Sequence, residues 1–269
     1  MPTREVPVLP ADCFNGLTIC RHGPMLYNRN DQYVGASLRK YGEFSPGESQ
    51  VFRAFIQPGA VVVEVGANIG AHTVELSRLV VPGGAVFAFE PQRVVFQTLC
   101  ANVALNGCAN VYAFQAAVGA TAGEIRVPFL PPNMPNNFGG LSLHEGGSRG
   151  EPVPMRTLDS LGLKACRFLK LDCEGMEVEA LRGGADMIRT LRPTMYVEND
   201  RKDRSAELIG LLLSWQYRLY WHLPPLFSPQ NFNEDAENIF ENIVSFNMLC
   251  VPAEQNITVR GLQPVETPA

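Results

Sequence analysis

Residues Val61–Pro91 read VVVEVGANIGAHTVELSRLVVPGGAVFAFEP. The run from Ala60 to Val65 is apolar and rich in β-branched residues, as in a strand buried on both faces of a parallel sheet. Gly66-Ala67-Asn68-Ile69-Gly70 follows as a turn of small residues. His72 to Val81 then sets Val74, Leu76, Leu79 and Val80 roughly on one face of a helix. Pro82-Gly83-Gly84 stops that helix. Ala85 to Phe89 is a second buried strand, and Glu90-Pro91 closes it.

Each part has a chemical use. The glycines let a ligand approach backbone that a Cβ would block. The start of the following helix offers free N–H groups to an anionic group such as a carboxylate. An acid at the tip of the second strand can accept hydrogen bonds from ribose hydroxyls. Dinucleotides and S-adenosylmethionine (SAM) are both bound on this plan. The dinucleotide pattern G-x-G-x-x-G lacks its middle glycine here. Glu64, just before the turn, would repel a pyrophosphate but suits a ligand carrying an ammonium and a sulfonium. Glu90 also falls closer to the turn than in the NAD pattern. SAM is therefore favoured over NAD. A plain crossover with no ligand is disfavoured, because acids at the tips of buried strands have little packing use.

The chain of 269 residues is long enough for one large domain with additions, and 46% hydrophobic residues can fill a substantial core. Its net charge of −5 and its scattered basic residues argue against a nucleic-acid partner. No apolar run approaches the roughly 20 residues of a membrane helix, and MPTREVPVLPADC has no signal-peptide pattern. The cysteines number 7, an odd count, and none is paired at C-x-x-C spacing. They read as reduced thiols of a cytoplasmic protein without a zinc site.

Residues 1–57 form an N-terminal addition. Leu17 to Arg21 and Met25 to Asn28 suggest a hairpin, Asp31 to Tyr41 favours helix, and Gly47 to Gln57 is an amphipathic helix. This layer either lids a ligand site or only covers a sheet face. The core spans 58–252. After Pro91 come a helix (94–106), a strand (111–115), Ala116-Ala117-Val118 and a short strand (123–127). Residues 128–150 are dense in proline, glycine and asparagine, too long for an ordinary connector. They make either a substrate-facing loop or a mobile surface loop. A strand (153–156), one turn of helix (157–161) and a strand (167–171) ending in Asp172 follow. Next come a helix, a strand (194–197) ending in Glu198-Asn199-Asp200, and a helix (205–215). Apolar runs at 217–221 and 243–251 end the sheet as an antiparallel pair around a second long loop, 222–242. The tail 253–269 reads as frayed. Strands alternating with helices define a doubly wound α/β sheet. Glu64, Glu90, Asp172 and Glu198 all end strands and should meet at one crevice. Such a cluster is costly unless cations or donors compensate, and a sulfonium supplies part of that.

Taken together, EVGANIGAHT (64–73), FEP (89–91), NNFGGLSL (136–143), TLDSL (157–161), LKLDCEGMEVEALRGG (169–184) and RPTMYVEND (192–200) resemble the FkbM-like family of SAM-dependent methyltransferases. The resemblance covers about 60–250. It implies a Rossmann-like class I methyltransferase, with a mostly parallel seven-stranded sheet whose last strand is antiparallel. It also implies methyl transfer to a hydroxyl of a sugar or polyketide-like acceptor, less often to an amide nitrogen. Cys173 departs from the aliphatic residue that many members carry there, and reads as a silent packing change.

Carried over position by position, Glu64, Gly66, Ala67, Asn68 and Gly70 hold the methionine part of SAM, Glu90 its ribose, and Ala117 and Val118 flank adenine. Asp172 and Glu174 face the methyl group and the acceptor. Asp172 is the leading general base for a hydroxyl acceptor, against a role in merely binding the SAM amino group or anchoring a loop. Asn137, Glu198, Asp200 and His222 are assigned to the acceptor side, and His72 to a structural role. No metal is expected, since the acids lack a histidine at ligand spacing; the carboxylates of Asp172, Glu174 and Glu198 are where one would sit. The expected partner is a small-molecule or glycan acceptor, with neither nucleic acid nor membrane, and a homodimer is left open. The competing readings are an NAD-dependent oxidoreductase and a non-catalytic SAM-binding protein.

Overall fold

The computed structural model describes residues 9, 10, 12–142 and 150–265. An N-terminal hairpin, β1 (Asn15–Cys20) and β2 (Gly23–Asn28), leads into helices α1 (Val34–Tyr41) and α2 (Pro46–Phe55). The core opens with β3 (Val61–Val65), α3 (Ala71–Leu79), β4 (Ala85–Phe89), α4 (Arg93–Leu105) and β5 (Val111–Phe114). Three short strands follow, β6 (Ala117–Val118), β7 (Gly123–Val127) and β8 (Glu151–Arg156), and they form a small sheet of their own. Then come β9 (Phe168–Leu171), α5 (Glu177–Arg182), α6 (Ala185–Leu191), β10 (Thr194–Glu198), α7 (Lys202–Ser214), β11 (Tyr217–His222), β12 (Asn247–Pro252) and β13 (Gln263–Pro264).

The main sheet runs β13-β11-β12-β10-β9-β3-β4-β5. Strands β5, β4, β3, β9 and β10 pair in parallel, and β12 lies antiparallel between β10 and β11. This is the expected Rossmann-like arrangement of seven strands, extended by the two-residue β13. The chain moves outward from β3 to β5 and then returns to β9 on the other side of β3. That reversal opens a crevice at the carboxyl ends of β3 and β9.

Strict alternation divides the core between the two faces. Val63, Val65, Leu169, Leu171, Met195 and Val197 point to one face, with Leu181 and Leu212. Val62, Phe168, Tyr196, Leu249 and Val251 point to the other, under Phe52 of α2 and Leu76 of α3. Burying each such side chain contributes roughly 1.5–3 kcal/mol. Phe52 meets Phe168 and Tyr196 edge-on at 5.7 and 5.6 Å. The N-terminal addition is thus part of the sheet's packing.

Three local features differ from the sequence pattern. The helix expected after Asp172 breaks at Gly183-Gly184 into α5 and α6. A Cβ on Gly183 would lie 2.0 Å from the carbonyl oxygen of Gly119, so the break lets two loops touch. The strand expected from Ile243 starts at Asn247. The tail after Pro252 is pinned: β13 pairs with β11, and Arg218 donates to the carbonyls of Gln255 and Ile257, both at 2.9 Å. Among the described residues no helix is long and apolar enough to cross a membrane.

The N-terminal addition also holds both long loops. Asn136 donates its backbone N–H to Asn30, and Gln32 donates to Asn136, each at 3.0 Å. The side-chain amides of Asn28 and Asn30 both reach the carbonyl of Pro132. On the other loop, the buried Tyr41 hydroxyl donates to the Glu237 carbonyl and accepts from the Ile239 N–H, both at 2.8 Å. Tyr41→Phe leaves these two backbone groups unpaired, a cost of about 1–2 kcal/mol. Limited proteolysis within 223–246 is therefore expected to accelerate roughly 5–30-fold.

Candidate active site

A cavity of about 410 Å³ opens at the carboxyl ends of β3, β4, β9 and β10. Its floor is the turn after β3, where the N–H groups of Gly66 and Ala67 donate to the Phe89 carbonyl at 3.0 and 2.9 Å. Gly66 has φ +80°, and a Cβ there would sit 1.7 Å from the carbonyl oxygen of Asp172. The missing side chain is therefore required by the neighbouring strand end, whatever the ligand. Gly70, at φ +87°, caps α3 and packs against Leu99. It is not among the lining residues.

Glu64 and Glu90 are 1% and 3% exposed. Glu64 accepts a hydrogen bond from the Thr73 hydroxyl at 2.6 Å. Glu90 takes the Asn68 N–H on Oε2 at 3.0 Å and the Gln92 N–H on Oε1 at 2.8 Å. Each Glu90 oxygen keeps a lone pair for a further donor. Burial pushes both carboxyls up to about 7. Ala117 and Val118 line the far wall with Ala116. Asn137 lines the rim, its side-chain oxygen accepting from the N–H groups of Gly139 and Gly140 at 3.1 and 3.0 Å.

Asp172 stands at the tip of β9, with 34% of its side chain exposed. Its Oδ2 accepts from Nζ of Lys170 at 2.8 Å. Glu177 folds the following loop by accepting from the N–H groups of Cys173 and Gly175 at 2.9 and 3.1 Å. Glu174 then pairs with Arg201 at 2.5 Å, and Arg201 also faces Asp200 at 3.4 Å. Burial, and then the Asp172 charge, push Glu174 up to about 8. The same two causes raise Glu198 well above the usual carboxylate range. Oε2 of Glu198 and Oδ1 of Asp200 are enclosed with no hydrogen-bond partner among the described residues. One oxygen each of Asp172, Glu174 and Glu198 falls within 4.8 Å of the others, a spacing that could hold a hard cation.

The structure thus gathers Glu64, Gly66, Ala67, Asn68, Glu90, Ala117, Val118, Asn137, Asp172, Glu174, Glu198 and Asp200 around one cavity. His222 is not among its lining residues, and its Nδ1 meets the Tyr196 hydroxyl at 2.7 Å. His72 lines the cavity, buried between Phe44 and Phe52 and held neutral by burial. Among the charged lining residues, Lys170, Glu48 and Arg201 escaped sequence reasoning. Lys170 is 2% exposed, and its signal was a lysine inside a buried strand. Glu48 looked like an ordinary acid in the first turn of a surface helix. Leu143, the last residue of the NNFGGLSL motif, lies outside the described residues, as does part of the 128–150 loop.

Fold and site together define a Rossmann-like protein whose crevice joins a glycine turn and two buried acids to an acidic pocket. The family profile described as Methyltransferase FkbM domain matches residues 64–219, more than half of the chain. The chain belongs to the FkbM methyltransferase family. It is 28% identical over 214 residues to the 31-O-demethyl-FK506 methyltransferase FkbM of Streptomyces tacrolimicus, covering 67% of this chain and 81% of that one. It is also 28% identical over 155 residues to methyltransferase sdnD of Sordaria araneosa, covering 45% of this chain and only 59% of the relative's length. The solved structure of methyltransferase FkbM from Methylobacillus flagellatus KT matches with a TM-score of 0.47 at 18% identity, over 74% of this chain and 50% of that one.

The raised carboxyls of Glu64 and Glu90 make a pH dependence. Both hold a proton more tightly when folded than when unfolded. Their stabilising contribution is complete below about pH 4.5 and is lost as pH rises through about 7. Glu64 faces Lys170, Asp172 and Glu48; Glu90 faces Asp172 and Glu64. The ligand-free protein is expected to lose on the order of 1–3 kcal/mol per group between pH 5 and 8. Thermal melts should show Tm falling over that range and Glu64→Gln flattening the fall.

Proposed function

We propose that this chain methylates a hydroxyl of a small-molecule or glycan acceptor, using SAM, with Asp172 as the base. Family membership supports methyl transfer. The observation that carries the rest is Asp172: one-third exposed at the strand reversal, beside the glycine turn, with one oxygen tied to Lys170.

The residues fit the cofactor. Two nearly buried acids, Glu64 and Glu90, face the cavity from the tips of adjacent strands and retain acceptor capacity. When bound, SAM supplies a methyl group already activated on a positively charged sulfur. The chain's own work is to hold the groups and move a proton. Glu64 and the turn at Gly66-Ala67-Asn68 hold the amino-acid end, Glu90 accepts from the ribose hydroxyls, and Ala117 and Val118 flank the adenine. Asp172 accepts the acceptor's hydroxyl proton as that oxygen becomes nucleophilic. Glu174, Glu198 and Asp200 orient the acceptor by taking its other donors. Asn137 and the two clamped loops close the rim and exclude water.

Transfer of label from methyl-labelled SAM to a panel of sugars, hydroxylated polyketides and amides tests the reading. Label on amide nitrogen alone would overturn the hydroxyl assignment. Asp172→Asn is expected to lower turnover by roughly 10²–10⁴-fold while SAM affinity stays within a few-fold; full turnover would remove Asp172 as the base. Glu90→Ala is expected to weaken SAM binding at least about 100-fold by calorimetric titration, since two charge-assisted hydrogen bonds of about 1.5–3 kcal/mol each are lost. Unchanged affinity would refute the ribose assignment.

A further inference from the structure

Lys170 has no role in the scheme above, yet it is a nearly buried cation at the heart of the site. A lone ammonium inside a sheet costs several kcal/mol in desolvation, so its surroundings matter. In the ladder it lies opposite Glu64 of β3 and Tyr196 of β10. Three carboxylates bear on it, those of Asp172, Glu48 and Glu64. Glu48 comes from α2, outside the core sheet. It accepts from the Ser45 hydroxyl at 3.0 Å and the Asn247 amide at 3.4 Å, and its other oxygen lies 3.5 Å from Nε2 of His72.

Plain charge neutralisation would need only proximity. The geometry is more selective, because the Lys170 ammonium donates to one oxygen of Asp172 at 2.8 Å. The Asp172 backbone is already fixed: its N–H donates to the Val65 carbonyl at 3.1 Å, and its carbonyl fills the space a Cβ on Gly66 would take. What remains free is the side-chain torsion of a carboxylate facing an open cavity. The hydrogen bond from Lys170 removes that freedom and leaves the second oxygen for the acceptor.

We propose that Lys170 is the positioning residue of Asp172. This rests on the reading of Asp172 as the base. The decisive comparison is Lys170→Met against Lys170→Met combined with Glu48→Gln. The double variant removes one positive and one negative charge, so the buried balance is kept even if the single variant fails to fold. It is expected to melt near the wild type and to bind SAM within about threefold by calorimetry. With a hydroxyl acceptor found by label transfer, its KM stays within a few-fold and its kcat falls about 100-fold. A crystal structure of the double variant is expected to show Asp172 in more than one rotamer. Recovery of wild-type kcat, or a single native orientation of Asp172, would overturn the proposal and leave Lys170 as a neutralising charge. Asp172→Asn separates the two failures. Full turnover in that variant overturns the base reading and the catalytic role of Lys170 with it. Loss there with full turnover in the double variant overturns the role of Lys170 alone.

Discussion

The site depends on one close approach. The turn after β3 and the end of β9 meet so tightly that the Asp172 carbonyl oxygen occupies the place of a Gly66 Cβ, 1.7 Å from its ideal position. The contact exists because the chain returns to β9 beside β3 after building outward to β5. It fixes the two halves of the crevice relative to each other. Glu64 and Glu90 stand on one side of it, and Asp172, Glu174 and Glu198 on the other. A protein interior is close-packed, so such a contact is stiff, and the acids inherit that stiffness.

Electrostatics then divides the crevice. Around Glu64 and Asp172 the acids are met by Lys170, which is nearly buried. Around Glu174 and Asp200 they are met by Arg201, which is partly exposed. Glu198 also feels the Arg201 charge, but its enclosed Oε2 has no hydrogen-bond partner among the described residues. From sequence, a sulfonium was expected to supply part of the compensation, with the other cations or donors unnamed. The structure shows that the chain supplies much of it. A ligand therefore enters a site that is already organised, with acceptor capacity concentrated at Glu90 and Glu198.

The N-terminal addition joins these parts. Its α2 packs Phe52 on the sheet and sends Glu48 into the cavity, while the turn at 28–32 and Tyr41 hold the two long loops at the rim. Of the two sequence-based alternatives, lid or sheet cover, both describe it in part. It covers a sheet face and builds one wall of the site. An amphipathic pattern such as GESQVFRAF shows which face is apolar, but not that an acid on its border will be swallowed by another element.

Much was legible before any coordinates. Alternating buried strands and helices prescribed the parallel sheet, because period and length set each element and crossovers have one hand. The acids at strand tips could be read as a group, since the carboxyl ends of parallel strands lie along one edge. The sequence by itself therefore determined the sheet, the glycine turn, and the meeting of Glu64, Glu90 and Asp172 at one crevice. Tertiary structure alone decided the rest. It set Lys170 against Asp172 rather than in solvent, turned His222 onto Tyr196 and away from the cavity, and pinned the tail on β11. The reason is physical: each of these depends on contacts between residues far apart in the chain. A side chain's partner across a sheet follows from register and packing, which local pattern does not encode.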